Sequence, residues 1–307
     1  MRIALYADSP SLDLPQVRGA PRGNAGGPEV SGRDDPNGRR CLFVGGKSGE
    51  RANYMMFVGS NQHDNGYHPR HRHAVDQVRV VISGEVDFGD GVKLKAGDVG
   101  YFPAGTHYGP YDGSVYIGPD IMLCQFESIH PTTYIPVNSP ELKAAFRTLG
   151  EKGSFKDGIY SWVDEAGKKH NKDGYEAAVE HVTGRPLTYP RPLYRRPVIV
   201  TPSNFPRREV VPGVAVRDLG TYSGNAVRMA TLEIAAGQSF EVAAFPDQRV
   251  TMLTVTKGSG VCNGTTLGVR DAIALDPGDS ASITTKDGIE VFAFGMPVLA
   301  EDAALAA

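Results

Sequence analysis

The feature that most constrains this 307-residue chain is a strand-and-turn grammar written twice. In the first half, Lys95-Ala-Gly97-Asp98 follows Ser83-Gly84-Glu85; in the second, Asp276-Pro-Gly278-Asp279 follows Lys257-Gly258-Ser259. Around each pair run short apolar segments of strand length. In the first half these are Cys41–Val44, Ala52–Val58, Gln77–Ile82, Val99–Phe102 and Ser114–Gln125. The second half has Val214–Leu219, Ala226–Ile234, Phe240–Ala244, Val250–Thr256, Ala272–Leu275 and Val291–Phe294. Closely spaced strands divided by Gly-rich turns point to barrels or sandwiches. The 37 glycines and 22 prolines suit that architecture better than long helices.

Helical signals occur only between the halves. Ser139 reads as an N-cap with Pro140 at N1, leading into Leu142–Leu149 with a stop at Gly150. A second helix is expected over Tyr175–Val182, ended by Gly184 and Pro186. The domain reading is an irregular arm over 1–40, a barrel over 41–137, a helical and Pro/Arg-rich connector over 138–207, a second barrel over 208–298 and a tail over 299–307. Met1–Leu5 could lend an edge strand.

A net charge of −3 argues against an electrostatic nucleic-acid or acidic-membrane binder. Cys41, Cys124 and Cys262 are too few and too scattered for a disulfide framework and read as buried thiols. No signal peptide or apolar membrane span is evident, so a cytoplasmic protein is expected.

Five of the eight histidines, His63, His68, His71, His73 and His107, fall in the first half within one stretch. His71 and His73 share a face if their segment is extended, because side chains alternate with period two. Imidazole is the commonest metal ligand near neutral pH. His130, His170 and His181 lie apart, and no histidine follows His181. Arg79 has the strand parity of Gln77, so the two point to the same side. A guanidinium buried there needs either a carboxylate such as Glu85 or Asp87, or an anionic substrate.

Residues 66–107 resemble the two motifs of the cupin superfamily. His71-x-His73, with Gly84 at its expected spacing, resembles the first motif; Gly66 stands one residue too close, and Gln77 replaces the usual Glu. Gly97, Pro103 and Gly105 match the second motif, with His107 one residue early. The resemblance implies an all-β fold: two cupin-type barrels (double-stranded β-helix or jelly roll) with a short helical connector. In the second half, Phe245, Asp247 and Thr251 stand where the first has His71, His73 and Gln77, so that barrel is expected to be degenerate.

The ligands implied by the resemblance are His71, His73, His107 and Gln77, around a divalent metal. Fe(II) is the leading expectation, with Mn, Ni, Zn or Cu as alternatives. A neutral amide at Gln77 would leave the metal its full charge and favour an anionic substrate. The leading functional expectation is therefore a non-haem Fe(II) dioxygenase of a small organic anion, anchored by Arg79. Tyr108 is expected to act in catalysis and Tyr54 and Tyr101 to line the substrate, although core packing is the plainer role for each tyrosine. His63 and His68 are expected to be solvated loop residues. One rival is an O₂-independent lyase, isomerase or decarboxylase with Tyr54, Tyr108, His63 or His68 as base. The other is a non-catalytic binding or storage protein. The expected partner is a small molecule, not nucleic acid or membrane, and a homodimer is compatible with the sequence.

Overall fold

A computed structural model of the protein describes residues 1–12, 39–45, 52–60, 67–112, 120–129, 134–224 and 226–299. The strands of the first half are β1 (Arg2–Ala4), β2 (Arg40–Gly45), β3 (Tyr54–Ser60), β4 (Tyr67–His68), β5 (Asp76–Ser83), β6 (Glu85–Asp87), β7 (Lys93–Lys95), β8 (Val99–Phe102), β9 (Tyr111–Asp112) and β10 (Asp120–Phe126). The connector holds α1 (Pro140–Lys152), a hairpin sheet of β11 (Gly153–Lys156), β12 (Ile159–Val163) and β13 (Lys169–Asp173), then α2 (Gly174–Thr183). Next come β14 (Val198–Val200), β15 (Arg208–Val211), β16 (Val214–Tyr222), β17 (Val227–Ile234), β18 (Ser239–Ala243) and β19 (Val250–Gly258). The last strands are β20 (Gly260–Cys262), β21 (Thr265–Leu267), β22 (Ala272–Leu275), β23 (Ser280–Thr284) and β24 (Ile289–Met296).

The duplication foreseen in the turns is reproduced in the sheets. One sheet runs β14-β8-β5-β10-β3-β2 and the other β1-β22-β19-β24-β17-β16-β15, each antiparallel throughout. Shorter sheets, β4-β9 and β6-β7 in one half and β18-β23-β20-β21 in the other, complete the two barrels. The duplicated turns are built alike. Lys95 N–H donates to Asp98 Oδ2 and Asp276 N–H to Asp279 Oδ2, both at 3.0 Å. Gly97 and Gly278 hold φ of 88° and 85°, a conformation in which only glycine is unstrained.

Each barrel takes an edge strand from outside its own half, the second from the N-terminal residues and the first from the connector. Arg2–Ala4 pairs with Ala272–Ala274 of the second barrel, and Val198–Val200 pairs with Val99–Tyr101 of the first. The first residues thus depart from the irregular arm expected for 1–40; residues 13–38 lie outside the described set. The connector also holds a three-stranded sheet that was not foreseen, and α1 runs through Gly150 to end at Gly153, where the chain turns extended into β11. Ser139 and Asp173 cap the two helices, and Gly184 ends α2 at φ 67°.

The two large sheets pack face to face, forming the largest core. Val78, Val80, Tyr101, Met122, Cys124 and Phe126 meet Met229, Met252, Ala274, Phe292 and Phe294 across this interface. The opposite faces look into the barrels. The second barrel is filled by aliphatic side chains such as Leu232, Leu253, Val255, Leu275 and Ile283. At the position answering to Gln77, Thr251 is buried and accepts the Phe245 N–H at 2.7 Å. The first barrel is apolar only in part, around Val81, Val86, Phe88, Leu94 and Phe102. Cys41, Cys124 and Cys262 are buried free thiols, and burial pushes Cys41 up to about 11. No helix among the described residues is long and apolar enough to cross a membrane.

Candidate functional site

The polar end of the first barrel is built from three segments. Strand β5 directs Gln77 and Arg79 inward, while Val78 and Val80 of the same strand face the other barrel. The Pro103-Ala-Gly105 loop is tied to the start of β5 by the Ala104 N–H, which donates to Asp76 Oδ1 at 2.7 Å. Gly105 N–H then donates to His73 O at 2.8 Å. Beyond it, His71 and Tyr108 form a reciprocal backbone pair, with N–H to O distances of 3.1 and 3.0 Å. The connector closes over this loop so tightly that a Cβ on Gly105 would lie 2.2 Å from Pro190 O.

That pairing decides which side chains meet. Directly paired residues project to one side of a ladder, so His71, His73 and Tyr108 share a face. The His71 ring centroid lies 5.2 Å from that of His73 and 4.4 Å from that of Tyr108. His107 has the opposite parity, and its charged surroundings are Arg70 and Arg72. Partial burial and those two guanidiniums hold its imidazole below the ordinary histidine range. The expectation of His107 as third metal ligand is therefore corrected: its one-residue offset turns it to the other face, and Tyr108 takes the inward position.

Tyr108 is the hub of a hydrogen-bonded group. Arg79 Nη2 donates to its hydroxyl oxygen at 2.8 Å, and His73 Nε2 lies 3.0 Å from the same oxygen. Arg79 also donates to Gln77 Oε1, from Nη2 at 2.6 Å and from Nε at 3.2 Å. Phe88 and Phe102 each stand 4.3 Å from the guanidinium carbon, close enough for cation–π attraction. Both Gln77 and Arg79 are buried, at 0% and 7% exposure. Gln77 Nε2 has no hydrogen-bond partner. His71 Nδ1 is 2.7 Å from Pro69 O, and because a carbonyl only accepts, Nδ1 carries a proton.

Two expected substrate contacts point elsewhere. Tyr101 is fully buried between the barrels, its hydroxyl 2.6 Å from Ser223 Oγ, and burial pushes its phenol far up. Tyr54 lies in the same interface with Met56 and Val58. Both have the parity of the sheet's outer face. His68 is not a solvated loop residue: it is 3% exposed, paired with Tyr111 across β4 and β9, and stacked on that ring at 4.2 Å. His63 and His130 lie outside the described residues. Phe88 and Phe102 were not singled out from sequence; the parity of Phe102 with Gly100 along β8, opposite to Tyr101, is the signal that could have found it.

The residues present do not fit the expected four-ligand metal centre. His107 faces away, Gln77 Oε1 already receives two N–H groups, and the Arg79 cation stands beside the hydroxyl that replaces the third imidazole. Among the described residues no three His, Cys, Asp or Glu side chains converge on a point where a metal could be held. What remains is a pair of imidazoles beside a phenol, a guanidinium and an amide.

No protein-family model matches the chain, and no curated protein does. Solved structures similar to it include a quercetin 2,3-dioxygenase from Acinetobacter baumannii, at 14% identity and a TM-score of 0.43, covering 85% of this chain and 81% of that one. A salicylate 1,2-dioxygenase from Pseudaminobacter salicylatoxidans is similar at 17% identity and a TM-score of 0.42, with 79% and 70% covered. A Pseudomonas aeruginosa protein named for induction by glyoxylate reaches 10% identity and a TM-score of 0.47, with 84% and 80% covered. On its own topology the chain is two antiparallel β-barrels with a helical connector between them, the architecture that the cupin resemblance implies.

Proposed function

We propose that the first barrel is the active site of an enzyme that moves a proton on a small organic anion, in the manner of an isomerase, lyase or decarboxylase. One observation carries this reading: Arg79, Tyr108 and His73 form a hydrogen-bonded line in a buried site where Arg79 has no carboxylate partner among the described residues. The sequence offered Glu85 or Asp87 as that partner. Asp87 instead pairs with Lys93 at 2.9 Å, and Glu85 is exposed. Buried charges are normally paired, so an anion from outside is the missing partner.

The chemistry follows from donor and acceptor roles. Arg79 can only donate, so the Tyr108 oxygen accepts from it; in the His73 tautomer whose Nε2 is unprotonated, the phenol proton is directed to that nitrogen. Passage of that proton to His73 leaves an oxygen base balanced by the His73 imidazolium, with the guanidinium still available to the substrate anion. Tyr108 then takes a proton from the carbon next to the substrate's anionic group and returns it at the same carbon or its neighbour. The negative charge that develops is met by Arg79, whose fixed position costs no reorganisation during the reaction.

The test is deuterium exchange. Small organic acids incubated with the protein in D₂O should lose the C–H signal next to the carboxylate, and Tyr108→Phe should abolish that loss. Exchange that persists undiminished in the variant removes the reading.

A second reading, a metal-dependent oxygenase, is favoured by one observation, the closeness of the His71 and His73 rings, whose centroids lie 5.2 Å apart. Elemental analysis of purified protein and of His73→Ala tests it: stoichiometric iron lost in the variant supports it, and metal-free protein with full activity rejects it.

A further inference from the structure

In this site Gln77 occupies the position where the motif expects a metal-binding carboxylate, yet its geometry is that of a donor. Its Oε1 accepts both the Nε and Nη2 protons of Arg79, which fixes the orientation of the amide, because the reverse assignment would set donor against donor. Nε2, with two N–H groups, is thereby turned away from Arg79. It is buried on a fully buried side chain and has no partner. A buried unpaired donor is costly to maintain, and native proteins retain few.

Arg79 contributes the second half of the array. Two of its three nitrogens are engaged by Gln77 and Tyr108; Nη1 makes no hydrogen bond among the described residues. The guanidinium and the amide are therefore locked together by a two-point contact, each with N–H groups still to satisfy, in a group of formal charge +1. Half-buried Ile121 and Leu123 on β10 point into the same barrel, Leu123 directly across from Arg79 in the ladder. These two side chains give the array an apolar neighbour on that side.

We infer that Gln77 and Arg79 together form a binding site for the carboxylate of a small monocarboxylic acid, with Gln77 as substrate-binding donor rather than metal ligand. The inference rests on the reading of the first barrel as the active site and names what that site holds. Two nearly adjacent planar donors match the two oxygens of one carboxylate. The single positive charge selects a monoanion, since a phosphate dianion would leave an unbalanced charge in a buried site.

The experiment titrates the intact protein by calorimetry with acetate, pyruvate and benzoate, using their methyl esters and inorganic phosphate as controls. At least one acid should bind while its ester and phosphate do not. Gln77→Glu keeps acceptor oxygens for Arg79 but replaces the amide donor with a second anion, and should weaken that acid at least tenfold. If that variant fails to fold, the Gln77 side-chain amide protons of the wild type, followed by NMR, should move downfield on titration. Absence of binding by all three acids, tighter binding of phosphate or ester, a change below tenfold in a folded variant, or unmoved amide protons each overturns the assignment. Deuterium exchange on the same samples separates the two readings. Gln77-dependent binding without exchange removes the acid–base reading alone, and exchange without dependence on Gln77 removes this one alone.

Discussion

Arg79 Nη2 lies 2.6 Å from Gln77 Oε1, and the two residues stand two apart on the same inward face of β5. A guanidinium that could have been neutralised by a carboxylate is held instead by a neutral amide and a phenol. Its charge is thus positioned but not cancelled. Stability and function pull in opposite directions at such a residue.

Replacing Arg79 with methionine tests that opposition. A buried cation without an acidic partner is often matched or bettered in stability by an apolar side chain of similar length. Arg79→Met should melt at or above the wild-type temperature while losing activity and anion binding. A fall in stability of more than about 2 kcal/mol would identify the guanidinium as structural.

Tyr108→Phe preserves the ring that packs against His71 and Phe102, at centroid distances of 4.4 and 4.9 Å, and removes only the hydroxyl. Two consequences separate. Stability should fall by about 1–3 kcal/mol, because an Arg79 N–H loses its acceptor. Turnover should fall about 10²–10⁴-fold, the range for a positioned acid–base group. Denaturant unfolding and steady-state rates measure the two independently.

The register of His71 with Tyr108 predicts that the first-motif His73 and the second-motif His107 differ sharply. His107→Asn should keep activity within about threefold, since its side chain lies on the strand face opposite to the site. His73→Asn should fall as far as Tyr108→Phe. Equal losses in both variants would contradict the face assignment.

His107 also makes a pH prediction. Partial burial, then Arg70 and Arg72, hold its folded pKa below the ordinary value of 6.5. The unfolded state therefore takes the proton first as pH falls. Its contribution to stability is present above the unfolded value and is lost as pH drops through the folded one. The imidazole carbon proton, followed by NMR, should titrate below 6.5, and the shift should shrink in Arg72→Gln. That variant tests the charge directly.

Much of this protein is written locally. The paired turns at Gly97 and Gly278, the cap at Ser139 and the strands Val99–Phe102 and Ala272–Leu275 depend on short-range chemistry, and each is legible in the residues themselves. So are the duplication, the degenerate second barrel and the shared parity of Gln77 and Arg79. The hairpin sheet between α1 and α2 was not legible: its strands Gly153–Lys156 and Lys169–Asp173 are largely polar and carry no alternating apolar signal.

What the sequence could not determine is which face of each strand looks inward. Strand β5 is buried on both sides, by the barrel interior and by the partner sheet, so burial alone does not mark which of its faces looks inward. Period-two counting groups Tyr101 with Val99 and sets it apart from Phe102, but only the packing of sheet on sheet shows that Tyr101 belongs to the interface. The same holds for His107. From spacing alone it is a histidine one place early; once backbone hydrogen bonds pair His71 with Tyr108, one place is the difference between the two sides of a strand. Residue types and their rhythm were local properties, whereas the site depended on a register that only long-range pairing sets.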